Sequence, residues 1–379
     1  MSREGTSPLG LYIHIPFCKS KCRYCDFCSF PKTDPELMKT YTRALCREIE
    51  ARALPLPVDT VFFGGGTPTI LPLPLVSGIL SCLKENFHIL PDAEISIEGN
   101  PATIREEGLR ELFSLGFNRL SLGVQSVHAD ELKALGRIHT FEQAEETYLA
   151  ARKAGFRNIN LDLMFGIPFQ TPGSLQKTLE KTIGLAPDHI SLYGLQIEEG
   201  TPFAKKKDSL SLPDEETERS MYQNSIKQLE EAGYHRYEIS NFAKEGKESR
   251  HNLKYWTYRD YLGFGLAAHS FYDRCRSSNT RVLDDYLKNP AAAEDEKQKI
   301  STREASQEYI MLAMRLEKGI RDSEFRDLFG YSFLSAYEKK ILPLEKLGLI
   351  RKTEDGVAFT TEGFYVSNTV LSDWLDFER

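Results

Sequence analysis

No apolar run in this chain of 379 residues reaches the roughly 18 residues that a membrane span requires. Residues 1–8 are polar and lack the apolar core of a secretory signal. Both absences set the expectation of a cytoplasmic protein that meets a membrane only through a partner. Low-complexity segments are missing too. So is a basic excess. The 48 Lys and Arg are outnumbered by 55 Asp and Glu, for a net charge of −7, so the broad positive field of a general nucleic-acid binder is absent and no nucleic-acid partner is expected. Cysteine is sparse. Seven unevenly placed residues do not build a disulfide framework. With 41% hydrophobic and 27% charged residues, the composition excludes a disordered or collagenous chain.

What is present is a rhythm. Short apolar runs at 11–15, 60–63, 94–98, 119–124, 159–164 and 190–195 read as buried strands. Helical patterns follow at 35–52, 73–86, 105–115, 141–154, 174–185 and 214–232. Such alternation predicts an α/β fold with a parallel sheet and right-handed crossovers. An open doubly wound sheet and a (β/α) barrel both satisfy the pattern. Functional-looking residues at or beyond all six strand ends favour a partial (β/α)6-type barrel. The expected organisation is a barrel at 1–235, a connecting segment at 236–300 and a smaller, mostly helical domain at 301–379. In that last domain, helices followed by a turn-linked strand pair predict a winged-helix-like part.

Four cysteines, Cys18, Cys22, Cys25 and Cys28, fall in a short loop after the first strand. In a reducing compartment such a group reads as metal binding or catalysis. All four could close a tetrahedral zinc site. Three of them, at x3 and x2 spacing, could instead hold an iron–sulfur cluster with one iron left open to a ligand.

The surroundings of the loop are Leu11-Tyr12-Ile13-His14-Ile15-Pro16-Phe17 before it and Tyr24-Cys25-Asp26-Phe27 within it. Here the chain resembles the radical S-adenosylmethionine (SAM) superfamily. Within it, the similarity is to the oxygen-independent coproporphyrinogen III dehydrogenase group and its HemW-type heme chaperone relatives, over residues 10–370. The resemblance implies that Cys18, Cys22 and Cys25 hold a [4Fe-4S] cluster whose fourth iron binds SAM. It also implies SAM contacts at Tyr12, at Phe27, at Gly65, Gly66 and Thr67 of a glycine-rich loop, and at Glu98, Gln125, Arg137 and Asp162. The residue types suit the ligand: Arg137 for its carboxylate, Glu98 for its ammonium, Gln125 and Asp162 for its ribose. Leu195 is a weaker match, near the adenine.

Two departures separate the branches. The dehydrogenase branch carries a further cysteine where this chain has Phe27, and a long N-terminal extension where only residues 1–10 precede the first strand. Both favour the chaperone branch. Arg250-His251-Asn252-Leu253-Lys254-Tyr255-Trp256 matches its HNxxYW motif, which implies heme binding with His251 as a candidate axial ligand. His14 reads as structural. The expected partners are heme, a heme-acceptor protein and an electron donor.

Overall fold

The computed structural model describes residues 7–31, 34–101 and 103–375. Six strand–helix units build the first part. They run β1 (Leu9–Ile15), α1 (Pro35–Ala51), β2 (Pro57–Gly65), α2 (Leu73–Asn86), β3 (His88–Gly99), α3 (Glu106–Leu115), β4 (Arg119–Gln125), α4 (Ala129–Leu135), α5 (Phe141–Ala154), β5 (Ile159–Phe165), α6 (Pro172–Gly184), β6 (His189–Gly194) and α7 (Glu215–Glu231). Local chemistry sets their limits. Asp34 caps α1 by accepting from Glu36 N, and Thr140 with Gln143, like Thr171 with Ser174, forms a reciprocal capping box.

The parallel strands stand in chain order, each paired with the next. Strand order never reverses, so there is no switch point of the doubly wound kind. Right-handed crossovers then put every helix on one side, and the sheet curls into a barrel wall. Alternation along β1 shows the result. Leu11, Ile13 and Ile15 join the core beneath the helices, while Tyr12 and His14 face the lumen side.

The wall stays open, and the stretch expected to be a connector extends both of its edges. It contributes β7 (His235–Arg236), β8 (Asn241–Ala243), α8 (Arg250–Trp256), β9 (Tyr261–Phe264), β10 (His269–Tyr272), β11 (Cys275–Asn279), α9 (Leu283–Lys288) and β12 (Glu294–Lys299). The antiparallel β8 adds to β6. The parallel β9 adds to β1. One 12-stranded sheet results. Its short strands escaped the sequence reading because runs of two to five residues carry too little periodicity.

The C-terminal part follows as α10 (Thr302–Ala313), β13 (Ile320–Arg321), α11 (Asp322–Phe329), α12 (Phe333–Lys346), β14 (Ile350–Thr353), β15 (Gly356–Phe359), α13 (Thr361–Tyr365) and α14 (Ser367–Trp374). Its sheet is ordered β13-β15-β14. A second apolar core, including Tyr309, Phe325, Phe333, Phe359 and Trp374, lies beneath it. Among the described residues no helix is long and apolar enough to cross a membrane.

Candidate functional site

The loop between β1 and α1 is fastened at its base. Cys18 N donates to Phe30 O (2.9 Å) and Phe30 N to Pro16 O (2.7 Å). His14 Nε2 donates to Cys28 O (2.8 Å), so His14 is a structural anchor for the loop. At the far side, Arg23 N donates to Leu135 O (2.9 Å) and Lys21 Nζ to Phe27 O (2.9 Å). The end of β2 comes up beneath. Gly66 N donates to Ile15 O and Thr67 N to Phe17 O, both at 2.8 Å. A Cβ on Gly66 would stand 2.6 Å from Phe17 O and 3.0 Å from Cys18 Sγ, and Gly65 has φ +107°, so no other residue type seats this turn without displacing the loop.

Cys18, Cys22 and Cys25 line one cavity of about 430 Å³ together with Phe27, Gly65, Gly66, Glu98, Gln125, Arg137 and Asp162. The C-terminal ends of β2 to β6 each supply part of its wall, where a (β/α) barrel places its chemistry. Cys28 is not on that wall. Among the described residues no three His, Cys, Asp or Glu side chains converge closely enough for a single metal ion. The thiols instead border a shared volume.

Each expected contact residue has a definite setting. Phe27 stands at the mouth, 62% exposed. Asp162 accepts from Ser121 Oγ (2.9 Å) and Asn160 Nδ2 (2.8 Å), and burial raises its carboxyl above the usual range. Glu98 Oε2 accepts from Gly65 N (3.3 Å). Burial and then the charge of Asp162 push Glu98 up to about 8. Gln125 has φ 65°, rare for a non-glycine residue. The ladder to β5 slips there, Gly123 facing Asp162 and Gln125 facing Leu163, so a bulge re-aims the side chain. Burial also raises the thiols of Cys18 and Cys25.

Three of the expected residues do not line the cavity. Tyr12 is not on the cavity wall. Its hydroxyl bonds to His14 Nδ1 (3.1 Å) and its ring stacks on Phe62. Thr67 is turned to the loop, bonding Cys18 Sγ (3.6 Å) rather than facing the cavity. His251 is fully buried and does not line the cavity. One ring nitrogen bonds Thr60 Oγ1 (2.9 Å), the other Tyr255 Oη (2.8 Å), and the ring stacks on Phe62. Burial and then the charge of Lys254 lower it to about 3, so it is neutral. Both nitrogens being taken, axial ligation would require one of those bonds to break. Leu195 joins an apolar group with Tyr24, Met164 and Phe203.

The cavity also takes Lys21, Asn100, Ser121, Gly123, Met164, Tyr193, Gln196 and Glu198. Most were unread, although period-2 alternation along β4 and β5 points to Ser121, Gly123 and Met164 once Gln125 and Asp162 are singled out. The residues fit a cluster and SAM. Three thiols share the volume, the glycine turn leaves backbone bare, and Gln125 Oε1 and Arg137 Nε are buried without a hydrogen-bond partner.

Comparisons with known proteins agree with this geometry. The family described as the radical SAM superfamily matches residues 12–182, and the HemN C-terminal domain matches residues 300–366. The chain is 34% identical over 375 residues to the heme chaperone HemW of Bacillus subtilis, covering 96% of this chain and 98% of that one. It is 32% identical to the heme chaperone HemW of Haemophilus influenzae, covering 98% and 99%. Among solved structures, coproporphyrinogen III oxidase (HemN) of Escherichia coli superposes with a TM-score of 0.86 at 27% identity, covering 98% of this chain and 91% of that one. The cysteine loop at the first strand end, the open barrel wall and the end-to-end similarity lead to one assignment: the chain belongs to the HemW family of the radical SAM superfamily.

Proposed function

We propose that this protein is a heme chaperone of radical SAM type. Cys18, Cys22 and Cys25 would hold a [4Fe-4S] cluster, the strand-end residues of the same cavity would bind SAM, and heme would be carried to an acceptor protein. The observation that carries the reading is the convergence of three thiols and a row of strand-end polar groups on one cavity, in a chain similar along its length to named heme chaperones. A cluster bound there supplies single electrons and an open iron position. The chain's own groups do the rest. Arg137 offers its free Nε to a carboxylate. Glu98, protonated at neutral pH, ionises against an ammonium. Gln125 and Asp162 receive hydroxyls, and Phe27 covers the mouth.

We place the protein in the cytoplasm, where thiols stay reduced, with an electron donor as a further partner and membrane contact only through the acceptor. The similarity to HemN supports a second reading, oxidative decarboxylation of coproporphyrinogen III. Phe27, standing where that branch has a cysteine, weighs against it.

The test is an anaerobic heme titration of cluster-reconstituted protein, followed by transfer to an apo-acceptor and by product analysis with coproporphyrinogen III. Saturable heme uptake and transfer without turnover is the expected result. Catalytic formation of protoporphyrinogen would replace the chaperone reading with the second.

A further inference from the structure

Two of the proposed cluster ligands are joined by a chain of hydrogen bonds whose centre is Asn100. Arg137 Nη1 donates to Cys22 Sγ (3.4 Å) and its Nη2 to Asn100 Oδ1 (2.5 Å). Asn100 Nδ2 donates to Thr67 Oγ1 (2.7 Å), and Thr67 Oγ1 donates to Cys18 Sγ (3.6 Å). The direction of every bond is forced. A guanidinium only donates, so Asn100 must meet it with its carbonyl oxygen. The amide NH2 then faces Thr67, whose oxygen accepts from it and whose hydrogen is left for Cys18. Flipping the amide would set donor against donor at one end.

The fold makes room for this chain. A Cβ on Gly123 would stand 3.0 Å from Arg137 Nη2 and 3.1 Å from Asn100 Oδ1. Gly123 O accepts a further bond from Nη2 (2.5 Å) and fixes the guanidinium.

We infer that Asn100 is a positioning residue that sets the reduction potential of the cluster by holding Thr67 and Arg137 as donors to the sulfurs of Cys18 and Cys22. The inference rests on ligation by Cys18, Cys22 and Cys25. Hydrogen bonds to ligand sulfurs stabilise the reduced cluster, which carries the greater negative charge, and so raise its potential. Asn100 reaches both sulfurs through a neighbour and touches neither.

The experiment is a redox titration of the reconstituted protein, followed by electron paramagnetic resonance, with iron and sulfide content measured in parallel. Thr67→Val removes one donor at constant shape, and Thr67→Ser keeps it. Asn100→Leu releases both arms. At a fixed ambient potential the reduced-to-oxidised ratio should fall several-fold in Thr67→Val, fall further in Asn100→Leu, and return to the parental value in Thr67→Ser. Adding Thr67→Val to Asn100→Leu should add little, because that arm is already loose. Full cluster content with an unshifted potential in Thr67→Val and Asn100→Leu overturns the inference, as does a fully additive double variant. If Asn100→Leu does not retain a cluster, the Thr67 pair decides: an equal potential in Val and Ser overturns it. Absence of a cluster in the parent protein removes the ligation reading itself.

Discussion

Glu98 shows what burial does to a single side chain. Its carboxyl titrates at about 8 in the folded protein, against about 4.3 in an unfolded chain. Between those values the folded state keeps a proton that the unfolded state has released, so stability falls as pH rises through the window. Glu98→Gln cannot ionise. Its melting temperature should exceed the parent's by several degrees at pH 8 and match it at pH 4. A difference independent of pH would show that Glu98 is not held protonated. His251 poses the opposite case, an imidazole kept neutral between two hydroxyls. His251→Ala leaves both hydroxyls unpaired beside a cavity and should cost roughly 2–4 kcal/mol by chemical denaturation. Heme uptake per folded chain should persist. Its loss at unchanged stability would return His251 to the ligand role. The x3 and x2 spacing made the cysteines legible in the sequence. The environment of His251 was not legible, because its partner Thr60 sits 191 residues away.

At the scale of elements, the glycines of the sequence divide by their surroundings. Gly66 is wedged beneath the cysteine loop. Gly66→Ala should lower iron and sulfide incorporation several-fold while far-ultraviolet circular dichroism stays native. Unchanged incorporation would show that the turn yields to a methyl group. Gly78 lies inside α2 with nothing within 4 Å of a would-be Cβ. Gly78→Ala should therefore stabilise the protein by about 0.5–1 kcal/mol, measured by urea unfolding, with cluster content unaffected. The elements themselves were readable where they were long. All six helices expected in the first part appear within two residues of their expected limits. α4 was missed because seven residues give less than two turns of pattern, although Gly136 after it is the usual stop signal.

Across the whole molecule, one buried carboxylate joins distant parts of the chain. Glu48 on α1 accepts from Arg52 Nη1 (2.6 Å), Gly265 N (2.8 Å), Asn279 Nδ2 (2.7 Å) and Tyr286 Oη (2.7 Å). It thereby locks the β9–β11 extension against the barrel. Glu48→Leu would strip the Arg52 guanidinium of its buried carboxylate and leave Gly265 N and Tyr286 Oη without an acceptor, and should cost roughly 3–5 kcal/mol. Hydrogen exchange should rise first in residues 261–286. Exchange that rises uniformly would show that the extension does not open on its own.

Spacing over a few residues was enough to reveal the strand–helix alternation, the cysteine loop and the polar residues at the strand ends. Long-range packing governed three other matters. It decided that the barrel wall stays open and is widened by strands from 235–299. It left Tyr12, Thr67 and His251 off the cavity wall. It linked Cys22 to Cys18 through Arg137, Asn100 and Thr67. Each of these depends on contacts between residues tens to hundreds of positions apart, and local periodicity contains no record of them.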